Sequence, residues 1–348
     1  MENVKVILWG IGAMGSGMAK MLLDKKGVDI VGVCSRRSHV GENLFDVVEI
    51  DPAGRAPIMV TNDIDSLVKE KSADIVLIST DSFTKDSFEK VKKVAENGIN
   101  VISIAEEMAF PKAQEPELAA KMDAVAKENG VTILGTGINP GFVLDLLVLA
   151  LTGTCENVDY VKASRVNDLS PFGAAVMKGQ GVGLTEEVFL KGVETGDVVG
   201  HVGFPESISM VAEGLGWKIG EILQTRDPII SNVARETKYV TVDPGNVAGC
   251  SHCATGEVEG EIKIVMEHPQ QIHPELEGQD TGDYISIVGT PNINMQIKPE
   301  IPGGIGTIAM AVNSIPHVIN ARPGLKTMLD IPVPRAIMGD MRDMIETE

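Results

Sequence analysis

Residues 4–9 read VKVILW, and the chain passes directly from that apolar run into Gly10-Ile11-Gly12-Ala13-Met14-Gly15. A short apolar strand running into G-x-G-x-x-G at the start of a helical pattern is compatible with very few folds. The first glycine permits a tight turn, the second lets backbone approach a pyrophosphate, and the third lets helix and strand pack closely. The following helix turns its unpaired N–H groups and positive dipole end toward the same spot. The pattern alone is common, and a glycine-rich turn without a ligand also produces it. Its weight comes from its place between a strand and a helix, with a second strand at the distance a βαβ unit requires. Gly10, Gly12, Ala13, Met14 and Gly15 are expected to hold a dinucleotide.

The next 120 residues repeat the alternation. Apolar strand-like runs occupy residues 30–34, 58–60, 75–79, 101–104 and 131–134, separated by helical patterns at 13–23, 64–71, 88–96 and 116–128. Continuous apolar strands with helices between them predict a parallel sheet buried on both faces. The expected fold class is therefore α/β, with an N-terminal Rossmann-type doubly wound domain over residues 1–140. After GTGINPGF (residues 135–142) the pattern changes: strand-like segments at 158–164, 239–242, 257–268 and 283–289 have few helices among them. A helix at 144–151 and helical patches at 185–193 and 207–223 would cover one face. This predicts an α+β second domain, residues 141–302, with a mostly antiparallel sheet. From residue 303 the chain reads helical to about residue 319 and is then proline-rich; the glycine-rich stretch 173–183 has no account at this level.

The second strand discriminates between dinucleotides. An NAD-specific site places a carboxylate about 20 residues past the last glycine to bind the ribose hydroxyls. This chain has Cys34-Ser35-Arg36-Arg37 at that turn. Ser35 and the two guanidinium forks suit a 2′-phosphate, so NADP is favoured; arginine also stacks on adenine, which leaves NAD open, and two solvated surface arginines are the plain alternative. Ser79 and Thr80 end the fourth strand, where the switch-point rule puts the middle of the cofactor; they would equally serve as helix N-caps.

Glu106 and Glu107 follow the fifth strand. Adjacent side chains point opposite ways, so at most one carboxylate faces a nicotinamide, where it would accept a proton, activate water or hold an ammonium group. A solvated pair at a strand end is the competing reading. Asn139, in the bent loop 135–141, offers its amide to cofactor or substrate, and the loop doubles as a hinge. Arg165 with Asn167 would clamp a substrate carboxylate, or Arg165 simply pairs with Asp168 at the surface. Cys250-Ser251-His252-Cys253 lacks a second cysteine pair and histidines at ligand spacing, so a structural role outweighs metal or redox use, and no metal is expected. His252 is a candidate substrate contact.

Lys+Arg number 30 against 49 Asp+Glu, a net charge of −19, which argues against binding nucleic acid or an anionic membrane surface. The N-terminus lacks a basic n-region, no apolar run approaches a membrane span, and cysteines number four, so a cytoplasmic location is expected.

Together GIGAMG, CSRR, ISIAEEMAFP, GTGINPGF, SRVNDLSPFG and NSIPHVINARPGLKTMLDIP resemble the 2,4-diaminopentanoate dehydrogenase family, which is related to dihydrodipicolinate reductase and native amine dehydrogenases. The resemblance covers essentially the whole chain. It implies NAD(P)-dependent oxidative deamination of 2,4-diaminopentanoate to 2-amino-4-oxopentanoate and ammonia, in ornithine breakdown. It also implies a diamino acid as substrate, a homodimer, and a C-terminal segment (303–348) that returns to the nucleotide domain. A catalytic glutamate at the position of Glu107 or Glu106 follows from it too. The alternatives are an imine reductase like dihydrodipicolinate reductase, or a dinucleotide-binding sensor without turnover.

Overall fold

The computed structural model describes residues 2–346, which form two compact units. The first contains the chain up to Phe142 and the stretch from Pro302 onward; the second is Val143–Ile301.

The first unit opens with β1 (Val4–Trp9), α1 (Ala13–Leu23), β2 (Val28–Cys34), α2 (Leu44–Val47), β3 (Val60–Thr61) and α3 (Ile64–Leu67). It continues through β4 (Ile75–Ile78), α4 (Thr84–Glu96), β5 (Asn100–Ser103), α5 (Pro116–Glu128) and β6 (Thr132–Gly135). Val6, Leu8, Val33, Ile75, Val76, Leu77, Val101, Ile102, Ile133 and Leu134 are all buried, as strands covered on both faces require.

In the second unit come α6 (Leu146–Thr152), β7 (Asn157–Asp168), α7 (Ala174–Gly179), α8 (Glu186–Thr195), α9 (Phe204–Gly214) and β8 (Ile219–Ile230). The short β9 (Arg235–Glu236) and β10 (Thr241–Val242) pair with each other, and β11 (Val247–Val258), β12 (Glu261–Gln271), β13 (Gly282–Thr290) and β14 (Ile293–Ile297) complete this part. The chain then re-enters the first unit as α10 (Gly303–Asn313), α11 (Ile315–Asn320) and β15 (Gly324–Lys326).

The first sheet has seven strands in the order β15-β6-β5-β4-β1-β2-β3, every pairing parallel. The order reverses between β1 and β4, so the loops after these two strands diverge and leave a crevice at their carboxyl ends. The seventh strand, β15, comes from the proline-rich tail and carries no apolar run of its own. It pairs with β6 from Gly324 opposite Thr132, with Gly324 N donating to Val131 O (2.9 Å), and Leu325 N donates to the Asp123 carboxylate of α5 (3.1 Å).

The second sheet runs β14-β13-β7-β12-β11-β8; only the β7–β12 pair is parallel. Two sequence expectations change here. The strand placed at 158–164 continues to Asp168, so Arg165 and Asn167 lie within β7 rather than after it. The helical patch 207–223 stops at Gly214, where Trp217 N bonds back to Ala212 O (2.8 Å), and its second half is the edge strand β8. An edge strand faces water along much of its length, which blurs the alternation that marks a strand. The unexplained stretch 173–183 holds α7.

Arg165 finds its partner 118 residues away: it donates to the Asp283 carboxylate at 2.6 Å, with side chains 3% and 0% exposed. Asp283 also accepts from Ile301 N (2.9 Å). The expected surface pair with Asp168 does not form. Asp283→Leu, which strands a buried guanidinium, is expected to cost about 3–5 kcal/mol, and the double change Arg165→Met/Asp283→Leu should recover much of it. Urea unfolding of the three proteins checks this.

Candidate active site

At the β1–α1 turn, Gly10 has φ +112, and a Cβ on Gly15 would lie 2.0 Å from the Gly10 carbonyl oxygen. Only a glycine pair lets α1 start this close to the strand. A Cβ on Gly12 would meet nothing within 4 Å, so the backbone at the helix start faces open space. α1 begins at Ala13 and Met14 with no side-chain cap. Its first N–H groups lack partners within the helix, the arrangement a pyrophosphate accepts.

Ser35 is buried, its N–H bonded to Thr61 O (2.9 Å) and its hydroxyl to Ser38 (2.9 Å), which fixes the turn after β2. Arg36 and Arg37 stand exposed just beyond, without an ion pair among the described residues. Ser79 directly follows β4, its hydroxyl 3.4 Å from the Gly10 carbonyl, which ties the two sides of the crevice together. Thr80 donates to Asp81 (2.6 Å) and accepts from Lys90 (3.1 Å). Neither residue caps α4; the residue at the cap position is Phe83.

Glu107 supplies the cap instead. Its carboxylate accepts from Thr84 N (2.7 Å) and from the Gln114 side chain (3.3 Å), while its own N–H donates to Ser82 O (3.1 Å). Glu106 has a different environment. Burial pushes its carboxyl above the usual range, opposed by its own backbone N–H and by the nearby Ser82 side chain; the neighbouring Glu107 charge adds to the rise. The two carboxylates that were equivalent in sequence are therefore distinct, one engaged with backbone and one desolvated.

Asn139 is partly buried in the loop after β6, and this loop is anchored to α10 by Ile138 N donating to the Thr307 hydroxyl (3.2 Å). The glycine loop, Ser35–Arg37, Ser79, Thr80, Glu106, Glu107 and Asn139 thus all gather at the carboxyl ends of the strands of one parallel sheet. Thr136, also there, is buried with a hydroxyl that has no partner among the described residues.

In the second unit, Arg165, Asn167 and His252 project from the buried face of the six-stranded sheet. The Asn167 side-chain oxygen bonds His268 Nε2 (2.9 Å). His201 N donates to His252 Nδ1 (2.9 Å), and His252 Nε2 bonds Gln224 (3.0 Å). Both His252 nitrogens are committed and the ring is fully buried, so His252 is corrected from a substrate contact to a core histidine. His201 stacks edge-on against His268 (4.7 Å) and Phe204 (4.8 Å), and its buried Nε2 has no partner among the described residues. Burial, reinforced by neighbouring imidazoles and arginines, depresses His201 to about 3 and His268 well below its ordinary value. Burial also takes His252 to about 3, assisted by Arg226. These rings are neutral at neutral pH. His201 and His268 escaped the sequence reading because they are 36 and 103 residues from Arg165 along the chain, with no spacing signal; the fold brings them together.

Cys250 and Cys253 point to opposite faces of β11, and burial raises Cys250 to about 12. Among the described residues no cluster of three histidine, cysteine or acidic side chains is placed to hold a metal, and no helix is long and apolar enough to cross a membrane.

With this geometry in hand, residues 4–136 match the oxidoreductase family with an NAD-binding Rossmann fold, and residues 142–347 match the 2,4-diaminopentanoate dehydrogenase C-terminal domain. The 2,4-diaminopentanoate dehydrogenase of Acetoanaerobium sticklandii is 56% identical over 349 residues, covering 100% of this chain and 99% of that one. An amine dehydrogenase of Streptomyces virginiae is 24% identical, covering 96% and 98%. The structure of an amine dehydrogenase from Mycobacterium smegmatis superposes with a TM-score of 0.83 at 28% identity, covering 97% of this chain and 98% of that one. These relatives bear dehydrogenase names, which favours the amine-oxidising expectation over the imine-reductase and sensor alternatives. The chain belongs to the 2,4-diaminopentanoate dehydrogenase family, oxidoreductases built on an NAD(P)-binding Rossmann-type unit.

Proposed function

We propose that this protein oxidatively deaminates 2,4-diaminopentanoate to 2-amino-4-oxopentanoate and ammonia, with Glu106 as the proton acceptor. The observation that carries the assignment is the contrast between the two glutamates. Glu106 is desolvated at the end of β5, whereas Glu107 is occupied by the start of α4. A carboxylate with an elevated pKa takes and releases protons near neutral pH more readily than a solvated one.

Glu106 accepts a proton from the C4 ammonium group, freeing the nitrogen lone pair. A bound nicotinamide supplies the hydride acceptor. The lone pair closes to an iminium as the C4 hydride departs. Glu106, having released its proton to solvent, takes another from the water that attacks the iminium carbon and returns it to the nitrogen of the resulting carbinolamine; the C–N bond then breaks as the hydroxyl gives up its proton, leaving the ketone and ammonia. Asn139 would orient cofactor or substrate.

The uncommitted Arg36 and Arg37 beside buried Ser35 support NADP as the preferred cofactor, with NAD as a weaker alternative. Four unpaired thiols suit a reducing cytoplasm, and family resemblance supports a homodimer.

Three measurements test these readings. Glu106→Gln should lower turnover by about 10²–10⁴-fold while dinucleotide binding, followed by fluorescence titration, persists; near-normal turnover would exclude Glu106 as the acceptor. Arg36→Asp should raise KM for NADP+ about 10–100-fold, on the scale of a lost charge-assisted phosphate contact, with little change for NAD+. Unaltered NADP+ kinetics would overturn the 2′-phosphate assignment. Light scattering should return twice the mass of one chain, and a single-chain mass would rule out the dimer.

A further inference from the structure

The second unit contains a pocket that the chemistry above does not use. It lies between α7, α8 and the β9–β10 hairpin and encloses about 530 Å³, within the range of small-molecule sites. Met177, Val182 and Val198 form its buried floor, and Val188 and Tyr239, both about half exposed, stand at its mouth. Hydrogen bonds hold the walls in place. Gly183 N donates to Val247 O and Val247 N to Leu184 O, both at 2.8 Å, which ties the segment after α7 to β11. Val198 N donates to Gly192 O (3.0 Å), and the Thr237 hydroxyl reaches the Met177 sulfur (3.6 Å). The cleft is therefore formed before any ligand arrives.

Its charge runs against that of the whole chain, which has 49 acidic and 30 basic side chains. Lys178 and Lys191 line the pocket, and a third lysine, Lys238, lies over the Tyr239 ring at 5.6 Å. None of the three has a carboxylate partner among the described residues. The one acidic residue of the lining, Asp197, accepts from the Thr195 hydroxyl (2.7 Å), and Glu186, Glu187 and Glu194 of α8 lie outside it.

We propose that this pocket binds a monocarboxylate with an extended aliphatic body: Lys178 and Lys191 hold the carboxylate, and the body lies against Met177, Val182 and Val198. The apolar floor supplies affinity through the surface it removes from water, and the lysines select the sign of the head group. No arginine lines the pocket, so it lacks the guanidinium fork that suits a phosphate. 2,4-Diaminopentanoate does not meet this description, because its two ammonium groups are repelled by the lysines and its carbon chain is short. None of the residues gathered at the carboxyl edge of the first sheet lines the pocket. The proposal does not rest on the assignment of Glu106.

Calorimetric titration of sodium decanoate into the full-length enzyme, saturated with NADP+, tests it. Decanoate should bind saturably. Acetate, which lacks the body, and decylamine, which reverses the charge, should each bind about tenfold more weakly or worse. Lys178→Ala/Lys191→Ala should weaken decanoate binding about 2–30-fold, the scale of two exposed ion pairs. Val188→Glu places a like charge at the mouth, on a residue already half exposed, and should weaken it about tenfold or more. Turnover of 2,4-diaminopentanoate without decanoate, and thermal unfolding midpoints, should match the parent in both variants, which separates loss of the pocket from loss of structure. Absence of saturable decanoate binding, equal affinity for decanoate and decylamine, or unchanged decanoate affinity in both variants would overturn the proposal. So would a change of mass in the variants by light scattering without decanoate binding to the parent, which would make the mouth a contact between copies of this chain.

Discussion

The close approach of Gly15 to the Gly10 carbonyl is the contact on which the first unit's function depends. A side chain at Gly15 would lie 2.0 Å from that oxygen, so α1 starts against β1 only because both positions are glycine. With α1 in place, its N-terminus faces the crevice where the strand order reverses. A parallel sheet then supplies the rest, since every strand delivers its following loop to the same edge. Residues as distant as Ser35, Ser79, Glu106 and Asn139 arrive there for that single topological reason.

Burial of ionisable groups is handled differently in the two units. The second unit pairs Arg165 with Asp283 and keeps its buried imidazoles neutral, so little uncompensated charge lies inside. The first unit leaves Glu106 partly desolvated, opposed by its own backbone N–H and the nearby Ser82 side chain. An unfavourable environment for a resting carboxylate is a useful one for a proton acceptor. The surface charge of −19 stays compatible with an anionic cofactor because the attraction is local: helix N–H groups after Gly15, and the free Arg36 and Arg37.

Much of the first unit was legible because its signals are local. Buried parallel strands read as unbroken apolar runs, helices between them as amphipathic patterns, and the glycine fingerprint as a turn. The second unit was less legible. β8 is an edge strand whose exposed residues look helical, and β7 was cut short because Arg165 and Asn167 are polar residues in a strand interior. Their polarity is tolerated only because Asp283 and His268 meet them across the sheet. His252 illustrates the opposite error: a histidine in a C-x-H-C setting drew attention, yet both its nitrogens serve the core.

The sequence by itself determined the doubly wound class, the phosphate-binding turn, the arginines after the second strand and the pair of glutamates after the fifth. Each is a short-range pattern whose physical requirement is met within a few residues. Only the tertiary structure distinguished Glu106 from Glu107, recruited β15 to the edge of the sheet, and assembled Arg165, Asp283, Asn167, His201 and His268 in one place. Hydrogen-bond partners and desolvation are set by atoms close in space, and in this chain many of those atoms lie tens of residues apart.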